Sequence, residues 1–142
     1  MSEKKDKYSI NPNTKKKYKI PDIKNDTLNI DNFLNNNKKK PLVVVQGLGF
    51  VGAVMSLICA NAKKQYAVIG VDQALVSSYW RIASINNGIF PLIAEDKKIY
   101  AYFKKCIDKK NFYATFDPYA YSFADVIIVD INLDVIKKNI NK

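Results

Sequence analysis

Gln46-Gly47-Leu48-Gly49-Phe50-Val51-Gly52 lies inside an uncharged run of 21 residues, Leu42 to Ala62, bounded by Lys38-Lys39-Lys40 and Lys63-Lys64. Such a run has two readings. It is long enough for a membrane-spanning helix, which needs about 20 mostly apolar residues. It also suits a buried strand that turns through glycines into a helix. The run opens on Leu42-Val43-Val44-Val45, a short apolar run rich in β-branched residues that favour strands. Three glycines follow, each of which weakens a helix interior by roughly 1 kcal/mol. They are spaced Gly47-x-Gly49-x-x-Gly52, and a second apolar run, Ala67 to Val71, closes on Asp72, 20 residues past Gly52. That is the layout of a dinucleotide-binding βαβ unit. The strand-turn-helix reading prevails.

Each position then has a physical task. Gly47 permits the tight turn out of the first strand. Gly49, without a side chain, lets a pyrophosphate approach the backbone. Gly52 allows the helix to pack close to the strand. The turn residues Gly47, Leu48, Gly49, Phe50, Val51 and Gly52 are therefore the expected phosphate site, where unpaired N–H groups and the positive helix end meet the anion. Asp72 is placed to accept both hydroxyls of an adenosine ribose and to repel a 2′-phosphate, which favours NAD over NADP.

Around this unit the chain alternates strands and helices. Phe50 to Ala62 reads as a buried helix, and Ser77 to Asn86 as another, stopped by Asn87-Gly88. Lys97 to Lys109 places Ile99, Tyr102, Phe103 and Cys106 on one helical face. Phe112 to Phe116 and Val126 to Val129 supply two more strands. Right-handed crossovers then give a parallel sheet. The expected class is α/β: an incomplete Rossmann-type sheet of order 3-2-1-4 with flanking helices over residues 41–142.

Residues 1–40 hold 11 Lys, 8 Asn and few apolar side chains. A segment of this composition is expected to stay largely disordered, because it buries too little surface to offset its ordering entropy. One exception is expected: Leu28, Ile30, Phe33 and Leu34 suit an amphipathic turn docking on the body. The net charge of +10 lies more than half in this segment. It reads as a solvated leader rather than a nucleic-acid surface, since no aromatic-basic binding motif accompanies it. The chain has no His, and its two cysteines, Cys59 and Cys106, are 47 residues apart. Zinc sites of the Cys/His kind and His-based catalytic pairs are thereby excluded within the chain. The N-terminus MSEKKDKYSI lacks the apolar stretch of a signal peptide, so a cytoplasmic location with reduced cysteines is expected.

Beyond the glycine turn, VVVQGLGFVG, VIGVD, RIASINNGIFPL and FYATFDPYAYSFADVIIVD together resemble the N-terminal half of the nucleotide-sugar 6-dehydrogenases. These enzymes oxidise UDP-glucose, UDP-N-acetylmannosamine and relatives to uronic acids for polysaccharide biosynthesis. The similarity spans roughly residues 41–135. It implies NAD as cofactor, the glycine turn on the pyrophosphate and Asp72 on the adenosine ribose. Arg81 stands where the family has a basic residue near the adenosine end, a place equally consistent with an exposed helix arginine. Gln73 to Tyr79 is about four residues longer than the usual link, which leaves Arg81's reach open. At the end of the fourth strand, Asn132-Leu133-Asp134 replaces the family's Pro-Thr-Pro, so the contact on the nicotinamide side is in doubt. Asp130 and Asp134 read as a loop carboxylate and a cap rather than an acid/base or metal pair.

The resemblance also sets what is not expected here. The nucleotide-sugar site and the nucleophilic cysteine of the family belong to a second domain. Neither Cys59 nor Cys106 matches that nucleophile, so no catalytic residue and no metal ligand is assigned in this chain. It is expected to bind NAD, to meet a nucleotide sugar only through the missing domain, and to be inactive alone. A homo-oligomer is compatible with its aromatic-rich surface. The alternative is a free-standing NAD-sensing regulatory domain of the potassium-transport type. Its length fits, but it has no need of INNG, Pro91 or the Ala114-Thr115-x-Asp117 strand end. A third reading is a degenerate remnant with an exposed fourth strand.

Overall fold

The computed structural model describes residues 5–131. A four-stranded parallel sheet is built from β3 (Leu42–Gln46), β4 (Ala67–Val71), β5 (Phe112–Thr115) and β6 (Val126–Val129), in the order β5-β4-β3-β6. Counted from the strand before the glycine turn, that is the expected 3-2-1-4. Pairing is in continuous register, with Val44 opposite Ile69 on one side and Ile127 on the other. The uncharged run is thus strand β3 followed by helix α2 (Phe50–Ala60). Among the described residues no helix is long and apolar enough to cross a membrane.

Alternation along the strands sends side chains to both faces, as a sheet covered on each side requires. Val43, Val45, Val68 and Ala114 meet α2, α3 (Tyr79–Asn86) and α4 (Lys97–Lys109). Val44, Ile69 and Val71 meet Ile30 of α1 (Thr27–Asn36) and Ala120 of a short 3-10 helix, Pro118–Phe123. On α4, Phe103 and Cys106 are buried and Ile99 half-covered, while Tyr102 points to solvent instead of sharing their face. Tyr102 sits at the margin of the apolar stripe, where its ring lies near the Lys105 ammonium.

The largest difference from expectation is at the N-terminus. Residues 8–36 are not a disordered leader. Strands β1 (Tyr8–Ile10) and β2 (Lys17–Lys19) form an antiparallel hairpin, and α1 follows. The Asn11 carboxamide oxygen closes the turn by accepting from the N–H groups of Asn13 and Thr14 at 2.9 and 3.3 Å. Each strand buries one side chain, Ser9 or Tyr18, and turns its neighbours to solvent. So few inward positions suffice that the lysine-rich average conceals them. The expected amphipathic turn around Leu28 to Leu34 is α1, where Ile30 is fully buried and Phe33 stacks on Tyr113 at 5.8 Å; Leu28 remains exposed.

Two motifs that carried the family resemblance have structural tasks. Asn86 of INNG uses its side-chain amide to donate to the Ala114 carbonyl at 2.7 Å and its oxygen to accept from the Ala114 N–H at 3.0 Å. It thereby closes the outer edge of β5, which would otherwise present unpaired groups. Thr115 and Asp117 of the strand end form a ring with Asp26, the residue before α1. The Thr115 hydroxyl donates to the Asp26 carboxylate at 2.7 Å, the Asp117 N–H donates to Thr115 Oγ1 at 3.2 Å, and the Asp26 N–H donates to the Asp117 carboxylate at 2.7 Å. The Tyr113 hydroxyl joins it, donating to Asp26 at 2.5 Å. At the opposite edge β6 has no outer partner among the described residues, and Val126, Ile127 and Val129 are about half exposed.

Buried acids make the fold sensitive to alkali. Burial pushes the Cys106 thiol from its ordinary 9.0 up to about 11. Burial and the bond to Asp26 likewise push the Tyr113 hydroxyl upward. A raised folded-state pKa contributes stability that is complete below the unfolded value and lost as pH climbs through the folded one. The urea midpoint is therefore expected to be level up to about pH 9 and to fall toward pH 11. Cys106→Ala is expected to flatten the first part of that fall, and an equal decline in wild type and variant would refute the assignment to Cys106.

Candidate functional site

At the C-terminal ends of β3 and β4 the chain opens a cleft of about 560 Å³. Ligands of open α/β sheets sit outside the carboxyl ends of the strands, where the strand order reverses. Gly47 leaves β3 with φ +99°, a left-handed conformation that favours glycine. A Cβ there would overlap the main-chain oxygen of Asp130, and a Cβ on Gly52 would overlap the Gly47 carbonyl. Around Gly49, by contrast, a Cβ would meet nothing within 4 Å. The loop is therefore tight on its protein side at Gly47 and Gly52, and open toward the cleft at Gly49.

Helix α2 begins at Phe50 with Gly49 as its N-cap, and no side chain caps it. Its first N–H groups have no partner within the helix. They face the cleft beside Gly47, Leu48 and Gly49, so the positive end of the helix is available to an anion. Leu48 is fully buried, and its side chain lies where a Cβ on Gly70 of β4 would be. That contact explains the glycine inside the second strand.

Asp72 ends β4. One carboxylate oxygen accepts from the Leu48 N–H at 3.0 Å, and the other accepts from the Gln73 N–H at 2.8 Å. Arg81 Nη1 of α3 lies 3.6 Å from the first oxygen, and its guanidinium sits 5.3 Å from the Trp80 ring. The longer link does not hold Arg81 away. Residues 73–78 fold back on themselves, with the Ser78 hydroxyl donating to the Gln73 carbonyl at 2.6 Å, and return the chain to the cleft. Arg81 Nε is buried with no hydrogen-bond partner. Across the cleft stand Phe116, Pro118 and Tyr121. Burial and the nearby Asp72 carboxylate raise the Tyr121 hydroxyl above its ordinary pKa.

Residues 41–139 match the UDP-glucose/GDP-mannose dehydrogenase family, NAD binding domain. The chain belongs to this family. Among solved structures it is similar to the NDP-N-acetyl-D-galactosaminuronic acid dehydrogenase from Methanosarcina mazei Go1. The TM-score is 0.61 at 24% identity, over 72% of this chain and 22% of that one. The likeness is one of fold, and the chain spans about a fifth of that protein's length. Comparison with curated proteins gives no match.

The family domain takes NAD, and the cleft suits it: a loop tight on its protein side and open at Gly49, a free helix end, and a carboxylate one strand away. Of the expected cofactor residues, Gly47, Leu48, Gly49, Phe50, Val51, Asp72 and Arg81 all line the cleft. Gly52 does not. It lies behind the loop, against the Gly47 carbonyl, so its task is packing rather than contact. Gln46, Gln73, Phe116, Pro118, Tyr121, Asp130 and Ile131 also line the cleft and were not anticipated as site residues. Phe116, Pro118 and Tyr121 lie within the FYATFDPYAYSFADVIIVD stretch that carried the resemblance, but the crossover from β5 to β6 is what brings them to the cleft. Asp130 lies beside the glycine loop, whereas Asn132-Leu133-Asp134 falls outside the described residues. Neither Cys59 nor Cys106 lines the cleft. Among the described residues no group of His, Cys, Asp and Glu is placed to hold a metal.

Proposed function

We propose that this chain is the cofactor half of an NAD-dependent nucleotide-sugar 6-dehydrogenase, which oxidises the C6 alcohol of a UDP-sugar to the uronate. Gly47, Leu48, Gly49, Phe50 and Val51 form the pyrophosphate turn. The Gly47 and Leu48 N–H groups anchor it to Val71 and Asp72, and those of Gly49, Phe50 and Val51 at the start of α2 meet the anion. Gly52 keeps that turn tight. Asp72 accepts the adenosine ribose hydroxyls, and Arg81 flanks the adenosine end. The bound nicotinamide supplies a hydride acceptor. The protein's part is to fix its position and to select it over the 2′-phosphorylated form.

The observation that carries this reading is the meeting of Leu48, Asp72 and Arg81, which joins the phosphate turn to the ribose acid in one cleft. By the family resemblance the sugar site and the nucleophilic thiol fall to a further domain; neither Cys59 nor Cys106 lines this cleft. Calorimetric titration with NAD is the direct test. Saturable one-to-one binding is expected, without NADH absorbance when UDP-glucose is added. Absence of NAD binding would sink the cofactor reading, and NADH formation by this chain alone would sink the division of labour.

A further inference from the structure

We infer that the N-terminal hairpin is a brace for the adenosine end of the cleft, with Ser9 as the positioning residue that sets Arg81. The inference rests on the proposed NAD site and deepens it.

Helix α3, which carries Arg81, has no side-chain cap of its own. Its N-cap residue Ser78 instead gives its hydroxyl to the Gln73 carbonyl. The cap comes from the far end of the chain. Ser9, fully buried in β1, accepts from the Trp80 N–H at 2.9 Å and donates its own proton to the Val76 carbonyl at 2.7 Å. One hydroxyl thus ties both the long link 73–78 and the first turn of α3 to the hairpin. The link's other bonds are local, from Ser78 to Gln73, from Ser78 and Tyr79 to Leu75, and from Trp80 to Ser77. Leu75 and Val76 are more than half exposed, and the Ser9 hydroxyl ties the link to the hairpin.

The facing strand completes the support. Tyr18, paired with Ser9 in the hairpin, packs on Trp80 and Ala83, and its hydroxyl accepts from Ser84 at 3.4 Å. Trp80 in turn lies against the Arg81 guanidinium. A path of direct contacts therefore runs from Ser9 to Trp80, to Arg81, to Asp72. The longer link lets α3 start late, and the hairpin supplies the constraint that a short link would impose by itself. Satisfying the Trp80 N–H from Ser9 replaces a local cap, and holding Arg81 in place before NAD arrives reduces the ordering cost of binding.

The test measures NAD affinity of the full chain for wild type, S9A, S9T, R81A and the S9A/R81A double variant. S9A is expected to weaken NAD about threefold to tenfold, as a lost cap and a looser arginine would, and S9T to restore most of it. In the R81A background, S9A is expected to cost no further affinity. A second readout uses the wild type alone: NAD is expected to slow hydrogen exchange at the Trp80 amide. Affinity unchanged in S9A, the same loss with and without Arg81, or Trp80 exchange indifferent to NAD would each overturn the brace while leaving the cofactor reading intact. No NAD binding by wild type would overturn both.

Discussion

Gly52→Ala is expected to abolish measurable NAD binding, weakening it by about 100-fold or more, and to destabilise the fold by about 3 kcal/mol. The added methyl would be driven into the Gly47 carbonyl oxygen, with the Asp130 carboxylate also within 3.2 Å. Main chain lies on that side, so no flexible side chain can yield. Relief requires the start of α2 to move off β3, which opens the phosphate turn and loosens the packing behind it. Gly49→Ala gives the contrast. Its methyl would stand in open space toward the cleft, so stability should barely change while NAD affinity falls. Urea unfolding and calorimetry on the two variants check this, and equal stability losses would contradict the division between a packing glycine and a contact glycine.

Asp72→Asn is expected to reverse the cofactor preference. The carboxylate now accepts from Leu48 and Gln73 and stands 3.6 Å from Arg81 Nη1. An amide keeps one acceptor for the loop but loses the charge that grips ribose hydroxyls and repels a 2′-phosphate. It also releases Arg81, whose guanidinium can then pair with that phosphate. NAD is expected to weaken about tenfold and NADP to tighten by a similar factor, a swing in their ratio of about 100-fold. The NADP gain should shrink as salt is raised, because a partly exposed ion pair is screened. Retained NAD preference in this variant would remove Asp72 from the ribose site.

The Asp72 case shows where local sequence logic ends. Its spacing from Gly52 placed it at the end of the second strand, and there it is. The arginine nine residues later was ambiguous, because a longer link offered no way to tell a cleft residue from a solvated one. The fold of residues 73–78 brings it to the cleft, and the Ser9 hydroxyl that meets this link and the start of α3 lies 67 and 71 residues from its partners. Phe116, Pro118 and Tyr121 were missed for a related reason. They enter the cleft only because the crossover after β5 passes over it.

Taken alone, the sequence determined the βαβ unit, the strand order, the tight turn at Gly47 and Gly52, and the family. These follow from short-range rules: apolar runs make buried strands, glycines permit a positive φ and close approach, and crossover handedness orders the sheet. That residues 8–36 belong to the folded body follows from long-range contacts that local rules do not reach. There the signal was one buried side chain per strand, Ser9 and Tyr18, among lysines facing water. Composition averages over such positions, whereas the free energy of docking depends on the few that turn inward.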